Sequence, residues 1–180
     1  ETVPTVVLTT GSADPVSGAF TVTATFSEDV TGFALGDFSV GNGAASGFSA
    51  TSAAVYTAII TPAADGAVTV DIASGAAQDA AGNDNAAATQ FSIENDETAP
   101  TVTLASGSAD PVSGAFTITA TFSEDVTGFG LGDLTVGNGS ASSFSATSAT
   151  VYTATITPSA DGTVTVDVAG GAAQDGAGNA

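Results

Sequence analysis

Apolar and polar residues alternate along most of this chain, in short stretches rich in Val, Ile, Phe and Thr. This two-residue period is typical of strands that bury one face. In the first half of the chain it predicts strands at residues 5–10, 19–27, 36–41, 46–52, 54–61, 66–73 and 88–94. Gly, Pro, Asn and Asp gather between these stretches, and such clusters predict turns. No stretch has the period of a long amphipathic helix.

The second half of the chain repeats the first almost residue for residue. Residues 97–180 copy residues 1–84 at an offset of 96 positions, and about 18 of the 84 paired positions differ. This period is longer than the roughly 20 to 50 residues of solenoid repeats. The repeat therefore predicts two domains of ordinary size, residues 1–96 and residues 97–180.

Differences between the copies indicate which side chains face outward. Val7 is replaced by Thr103, and Ile59 by Thr155. Positions that accept both apolar and polar residues are predicted to face solvent, and their neighbours then point inward because strand side chains alternate. The predicted inward set is Val6, Leu8, Tyr56, Ile60, Val68 and Val70.

Seven short strands in about 96 residues predict an all-β fold of two tandem immunoglobulin-like β-sandwiches. The second copy stops at Ala180 and lacks the counterpart of residues 85–96. It is therefore expected to lack its last strand, which leaves an unpaired sheet edge. Either the second copy is truncated there, or the edge accepts a strand from another chain and builds a fibre.

The charge of the chain is entirely negative. It contains 19 Asp and Glu and no Lys, Arg or His, which gives a net charge of −19. Nucleic acids and anionic membrane surfaces attract Lys and Arg, so neither is an expected partner. The sequence also has neither a long apolar run nor a basic leader, so neither a spanning helix nor a signal peptide is expected. Clustered carboxylates must then be solvated or neutralised by bound ions.

The rest of the composition limits which metal ion the chain could bind. There is no Cys, which excludes disulfides and thiolate metal sites. A donor set made only of oxygen atoms suits Ca²⁺ first and Mg²⁺ second. The composition therefore favours a Ca²⁺ cofactor over zinc or copper.

Three acidic groups of the second copy are predicted to meet at the junction between the copies. In an immunoglobulin-like topology the first strand begins at the end where the loops after the second strand and before the last strand also lie. The residues predicted to bind Ca²⁺ there are Asp96, Glu97, Glu124, Asp125, Asp175 and Asn179. The equivalent set in the first copy is Glu1, Glu28, Asp29, Asp79 and Asn83. The alternative is that these are solvated loop acids and turn-forming residues.

Enzymatic activity is not expected. The chain has no His, Cys or Lys to act as base or nucleophile, and hydroxyl groups without an activating partner are poor nucleophiles.

An aromatic platform for carbohydrate is not expected either. Carbohydrate-binding platforms usually present aromatic rings, but Trp is absent and both Tyr residues alternate into the predicted core.

Three motifs resemble bacterial immunoglobulin-like repeats. They are Glu-Thr-Ala-Pro-Thr-Val at residues 97–102, the segment at residues 116–126 that ends Phe-Ser-Glu-Asp-Val, and Asp-x-Ala-Gly-Asn at residues 175–179. Such repeats are found in very large surface adhesins and biofilm-associated proteins. The resemblance covers both copies nearly end to end, and it implies tandem extender domains that are often stiffened by Ca²⁺ between domains.

The resemblance implies a structural spacer outside the bacterial cell, at the cell surface or in the biofilm matrix. Its expected partners are neighbouring repeats of the same parent chain. Two alternatives remain open: a filament subunit that accepts a donated strand, and a module whose Ca²⁺ ions also contact a glycan or a protein.

Overall fold

The computed structural model describes residues 2–180. Its backbone divides into two compact units, Glu1–Glu97 and Thr98–Ala180. Each unit is built from two antiparallel sheets, and neither contains an α-helix among the described residues. The prediction of an all-β fold with two tandem immunoglobulin-like sandwiches is confirmed.

The first unit has the strand order of an immunoglobulin constant-type sandwich. One sheet is ordered β1-β2-β5-β4 and the other β3-β6-β7, which is the ABED and CFG arrangement of that fold. The strands are β1 (Val6–Thr10), β2 (Phe20–Phe26), β3 (Ser39–Gly41), β4 (Gly43–Ala50), β5 (Val55–Pro62), β6 (Gly66–Asp71) and β7 (Phe91–Asn95).

The core of the first unit follows the alternation seen in the sequence. All six residues of the predicted inward set are buried, including Ile60, Val68 and Val70. Val7 and Ile59, which were predicted to face solvent, are 59% and 42% exposed. Comparison of the two copies therefore identified the buried face correctly.

The loop after β2 was partly mispredicted. Residues 36–41 were expected to form one strand, but Leu35–Asp37 is a short 3-10 helix and β3 begins only at Ser39. Asp37 causes the difference, because its carboxylate accepts a hydrogen bond from the Ala34 amide at 2.8 Å and closes a turn. The following strand was expected at residues 46–52 and instead spans Gly43–Ala50.

The second unit repeats these strands up to its sixth. They are β8 (Val102–Ser106), β9 (Phe116–Phe122), β10 (Leu134–Gly137), β11 (Gly139–Ala146), β12 (Val151–Pro158) and β13 (Thr165–Val168). Its sheets are ordered β8-β9-β12-β11 and β10-β13, so among the described residues β13 has no neighbour equivalent to β7. Val164 and Val166 are consequently half-buried, whereas their counterparts Val68 and Val70 are fully buried.

Each domain buries one tyrosine whose hydroxyl group ties a loop to the core. Tyr56 donates to the Val30 and Ala53 carbonyl groups, at 3.1 and 3.0 Å. Tyr152 makes the same pair of contacts in the second domain, at 3.0 and 3.1 Å. One hydroxyl group thus contacts a buried carbonyl group and a partly buried one, which links the loop after the second strand to the fifth strand of the domain and to the turn before that strand.

Replacing Tyr56 or Tyr152 with phenylalanine is expected to destabilise its own domain by about 1 to 2 kcal/mol, the usual cost of a lost buried hydrogen bond. The ring remains in each variant, so its stacking on Phe48 or Phe144 is kept. Urea denaturation followed by residue-resolved NMR would measure each domain separately. Equal stability of wild type and both variants would show that the hydroxyl groups contribute nothing.

Candidate metal centre

Two loops of the second domain are held side by side at the end where β8 begins. The loop after β9 and the loop after β13 pair through Thr127 and Gln174, whose backbone groups exchange hydrogen bonds of 2.7 and 3.0 Å. The same loop after β9 is fixed to the start of the domain, because the Thr101 amide donates to the Ser123 hydroxyl group at 2.9 Å. These contacts place the acidic residues of both loops in one region.

The carboxylates of Glu124 and Asp175 meet in this region. An oxygen atom of each lies within 4.8 Å of an oxygen of the other. Glu124 is half-buried and Asp175 is only 6% exposed. Because the chain has no Lys, Arg or His, no cationic side chain of the protein can neutralise this pair.

Asp175 is also held by its own loop. Its Oδ1 atom accepts hydrogen bonds from the Ala177, Gly178 and Asn179 amides at 2.9, 2.7 and 2.9 Å. Its Oδ2 atom accepts from the Asn179 side chain at 2.8 Å. Burial acts to raise the pKa of Asp175, but these hydrogen bonds outweigh it and hold the pKa below its usual range. Asp175 is therefore an anion at neutral pH.

The first domain contains the same loop around Asp79. The Asp79 carboxylate accepts hydrogen bonds from the Ala81 and Asn83 amides at 2.8 and 2.9 Å, and from the Asn83 side chain at 2.7 Å. The bonds from Asn83 are the largest cause that lowers the pKa of Asp79. A lowered pKa means that the ionised form stabilises the fold above the pKa of the unfolded chain, and that this stabilisation is lost as the pH falls through the folded value.

A family model described as a bacterial Ig-like domain matches residues 1–94 and again residues 96–180. The chain belongs to the bacterial Ig-like domain family. The resemblance noted from the three motifs is thereby confirmed.

Among solved structures, this bacterial Ig-like pair is similar to the adhesin InvE of Yersinia pseudotuberculosis. The two chains are 15% identical, with a TM-score of 0.31. The similarity covers 87% of this chain and 51% of the other, so the chain spans about half the length of that structure. A search of curated proteins gave no match.

Six further residues of the bacterial Ig-like domains were predicted to bind the metal ion. Within the loops after β2 and β9, Glu28 is half-buried like its counterpart Glu124, whereas Asp29 and Asp125 are exposed. Asp96 and Glu97 belong to the first unit, and Glu1 lies outside the described residues. Coordination by any of these residues stays a prediction.

Two buried asparagines of the first Ig-like domain were not singled out from the sequence. Asn85 and Asn95 are 1% and 2% exposed. The side chain of Asn85 is hydrogen-bonded to backbone groups of its own loop between β6 and β7, and that of Asn95 to backbone groups of two other loops. Their sequence context gave no signal, because Asn beside Asp and Ala is common in turns. Their burial distinguishes them from turn residues, and for Asn95 it depends on loops that are distant along the chain.

Two further observations bear on partners of the Ig-like pair. No helix among the described residues is long and apolar enough to cross a membrane. Tyr56 and Tyr152 are each 7% exposed, which confirms that both rings point into the core. The large hydrophobic side chains that residues 2–180 leave exposed are all aliphatic.

Proposed function

We propose that this chain is a pair of extender repeats in a bacterial surface adhesin or biofilm-matrix stalk, and that Ca²⁺ stiffens it. Two nearly identical bacterial Ig-like domains in tandem support a spacer role, because duplication adds length without adding a new site. The observation that carries the Ca²⁺ proposal is the pair of carboxylates at Glu124 and Asp175. A non-catalytic role accords with the absence of His, Cys and Lys.

The donor atoms fit a hard cation. Ca²⁺ binds six to eight oxygen atoms, including carboxylates and backbone carbonyl groups. Glu124 and Asp175 offer carboxylate oxygens, although three amides already occupy Asp175 Oδ1. A bound ion therefore requires additional ligands, and we propose Asp96 and Glu97, which directly precede the second domain along the chain.

The proposed mechanism is electrostatic. Two carboxylates about 4 Å apart repel each other by about 1 kcal/mol in water, and by more where solvent screening is weaker. A divalent cation reverses this interaction and binds only the folded arrangement, so it stabilises the domain by mass action. If residues of the connecting segment share the ion, binding also restricts the movement of one domain against the other.

Adding about 10 mM Ca²⁺ is expected to raise the melting temperature of the chain more than NaCl does at equal ionic strength. Extracellular Ca²⁺ modules bind with dissociation constants of roughly 0.1 to 1 mM, and a Ca²⁺ concentration of 100 times that constant adds about 2.7 kcal/mol to the free energy of unfolding.

Glu124→Gln removes one charge while keeping the shape of the side chain. It is expected to weaken Ca²⁺ binding to the second domain at least tenfold in isothermal titration calorimetry.

The matched control is Asp167→Asn, which removes the same charge from an exposed position on β13. This variant should bind Ca²⁺ like the wild type. An equal loss in both variants would mean that only overall charge matters, and no difference between Ca²⁺ and NaCl would refute the Ca²⁺ proposal. Small-angle scattering on the same samples tests stiffening, because the Ca²⁺-bound chain should be a longer and stiffer particle with a larger maximum dimension.

A further inference from the structure

The segment by which the chain leaves the first domain, residues 94–97, is paired to a neighbouring loop. The Val16 amide donates to the Glu94 carbonyl group at 2.8 Å, and the Asp96 amide donates to the Val16 carbonyl group at 2.8 Å. Val16 thus forms a parallel bridge with Asn95 beyond the antiparallel pairing of β7 with β6. The backbone of this exit segment is held on both sides.

The side chain of Asn95 adds two hydrogen bonds to this pairing. It is 2% exposed. Its Oδ1 atom accepts a hydrogen bond from the Gly18 amide at 3.1 Å, and its Nδ2 atom donates to the Ala64 carbonyl group at 3.1 Å. One buried amide group therefore joins the exit segment to two separate loops.

Two exposed carboxylates complete the contacts. Asp14 Oδ1 accepts a hydrogen bond from the Glu94 amide at 3.0 Å, and Asp65 Oδ1 accepts one from the Glu97 amide at 2.7 Å. Hydrogen bonds to a charged acceptor are roughly twice as strong as neutral ones. Asp65 thus holds the last residue of the first unit.

The second domain shows what the same loop does without such a segment. Residues 110–114 have the same sequence as residues 14–18, yet Val112 is 37% exposed whereas Val16 is 8% exposed. Gly18 has a φ of 128°, whereas Gly114 is not among the glycines with positive φ. The loop conformation of the first domain therefore accompanies its contact with the exit segment.

We infer that residues 14–18 and 64–65 form a clasp that fixes the direction in which the chain leaves the first domain, without any metal ion. All six hydrogen bonds described above join protein groups to protein groups. In a tandem array the clasp orients one side of a junction at any Ca²⁺ concentration. The inference is independent of the proposed function, because it concerns the chain with Ca²⁺ removed.

Amide hydrogen exchange of the 180-residue chain in EDTA tests the clasp. The Asp96 and Glu97 amides are expected to be protected there. Asp65→Ala should lower the protection of the Glu97 amide roughly tenfold, the loss expected for one hydrogen bond to a charged group. Asp65→Asn should keep part of this protection, because its amide oxygen still accepts the bond but without the charge. The melting temperature of the first domain should change little in either variant, since Asp65 is exposed.

The duplicated sequence supplies a matched control in Asp161→Ala. Asp161 is the counterpart of Asp65 and lies in the second domain, so this variant should leave the Glu97 amide unchanged. The clasp is overturned if the Glu97 amide is unprotected in EDTA and becomes protected only with Ca²⁺. It is also overturned if Asp65→Asn loses as much protection as Asp65→Ala, since a hydrogen-bond acceptor at residue 65 would then contribute nothing.

Discussion

Replacing Asn85 with alanine should lower the free energy of unfolding of the first domain by about 3 to 5 kcal/mol. The Asn85 side chain is almost fully buried. It accepts a hydrogen bond from the Ala77 amide at 2.8 Å and donates to the Ala73 and Ala86 carbonyl groups at 3.0 and 2.8 Å. Alanine would remove these hydrogen bonds from the buried Ala77 amide and from two partly buried carbonyl groups. A buried group left without a partner costs about 1 to 3 kcal/mol, and a partly buried one costs less.

Urea denaturation would measure this loss, with residue-resolved NMR separating the transition of each domain, since a two-domain chain need not unfold in one step. Gln90→Ala is the matched control, because Gln90 makes an exposed side-chain hydrogen bond to Asp71. That variant should change stability by less than about 0.5 kcal/mol.

Asn85→Asp tests the same site with a side chain of nearly the same shape. One carboxylate oxygen can still accept the hydrogen bond from the Ala77 amide, but the other replaces the NH₂ group and cannot donate to the Ala73 and Ala86 carbonyl groups. This variant should be at least as destabilising as Asn85→Ala at neutral pH, and less so in acid where the carboxyl group can donate again. A midpoint for Asn85→Ala equal to that of Gln90→Ala would show that the network is dispensable.

Much of the fold could be read from the sequence because strand alternation is a local property. Val7 and Thr103 marked an outward position, so Val6 and Leu8 could be placed in the core without any knowledge of the tertiary structure. The short 3-10 helix at Leu35–Asp37 was missed for the opposite reason. There a side chain bonds to the backbone of a near neighbour and overrides an apolar pattern that fits a strand.

The candidate site was predicted less completely. Fold topology alone brought Glu124 and Asp175 into the same region, and their carboxylates do lie close together. The sequence could not show that Asp175 already accepts hydrogen bonds from its own loop, because turn-forming and metal-binding Asp residues have the same local signature. The burial of Asn95 was invisible as well, since it depends on loops about 30 and 77 residues away along the chain.

Appending the sequence of residues 85–96 directly after Ala180 should stabilise the second domain by about 2 kcal/mol or more, or roughly 10 °C in melting temperature. In the first domain this segment contributes Ile93, which is 3% exposed, and Phe91, whose ring lies 6.4 Å from that of Phe20. The corresponding surface of the second domain includes Val164 and Val166, both half-buried. A matching strand would cover them and pair with β13, as β7 pairs with β6.

Circular dichroism melting and NMR of the extended chain would measure the gain, and Val112 should become buried as Val16 is in the first domain. The matched control is the same extension with Phe91→Ser and Ile93→Ser in the appended copy, which keeps the backbone and removes the apolar contacts. It should give little of the gain. Equal stability of the extended and original chains would show that this surface does not bind a last strand.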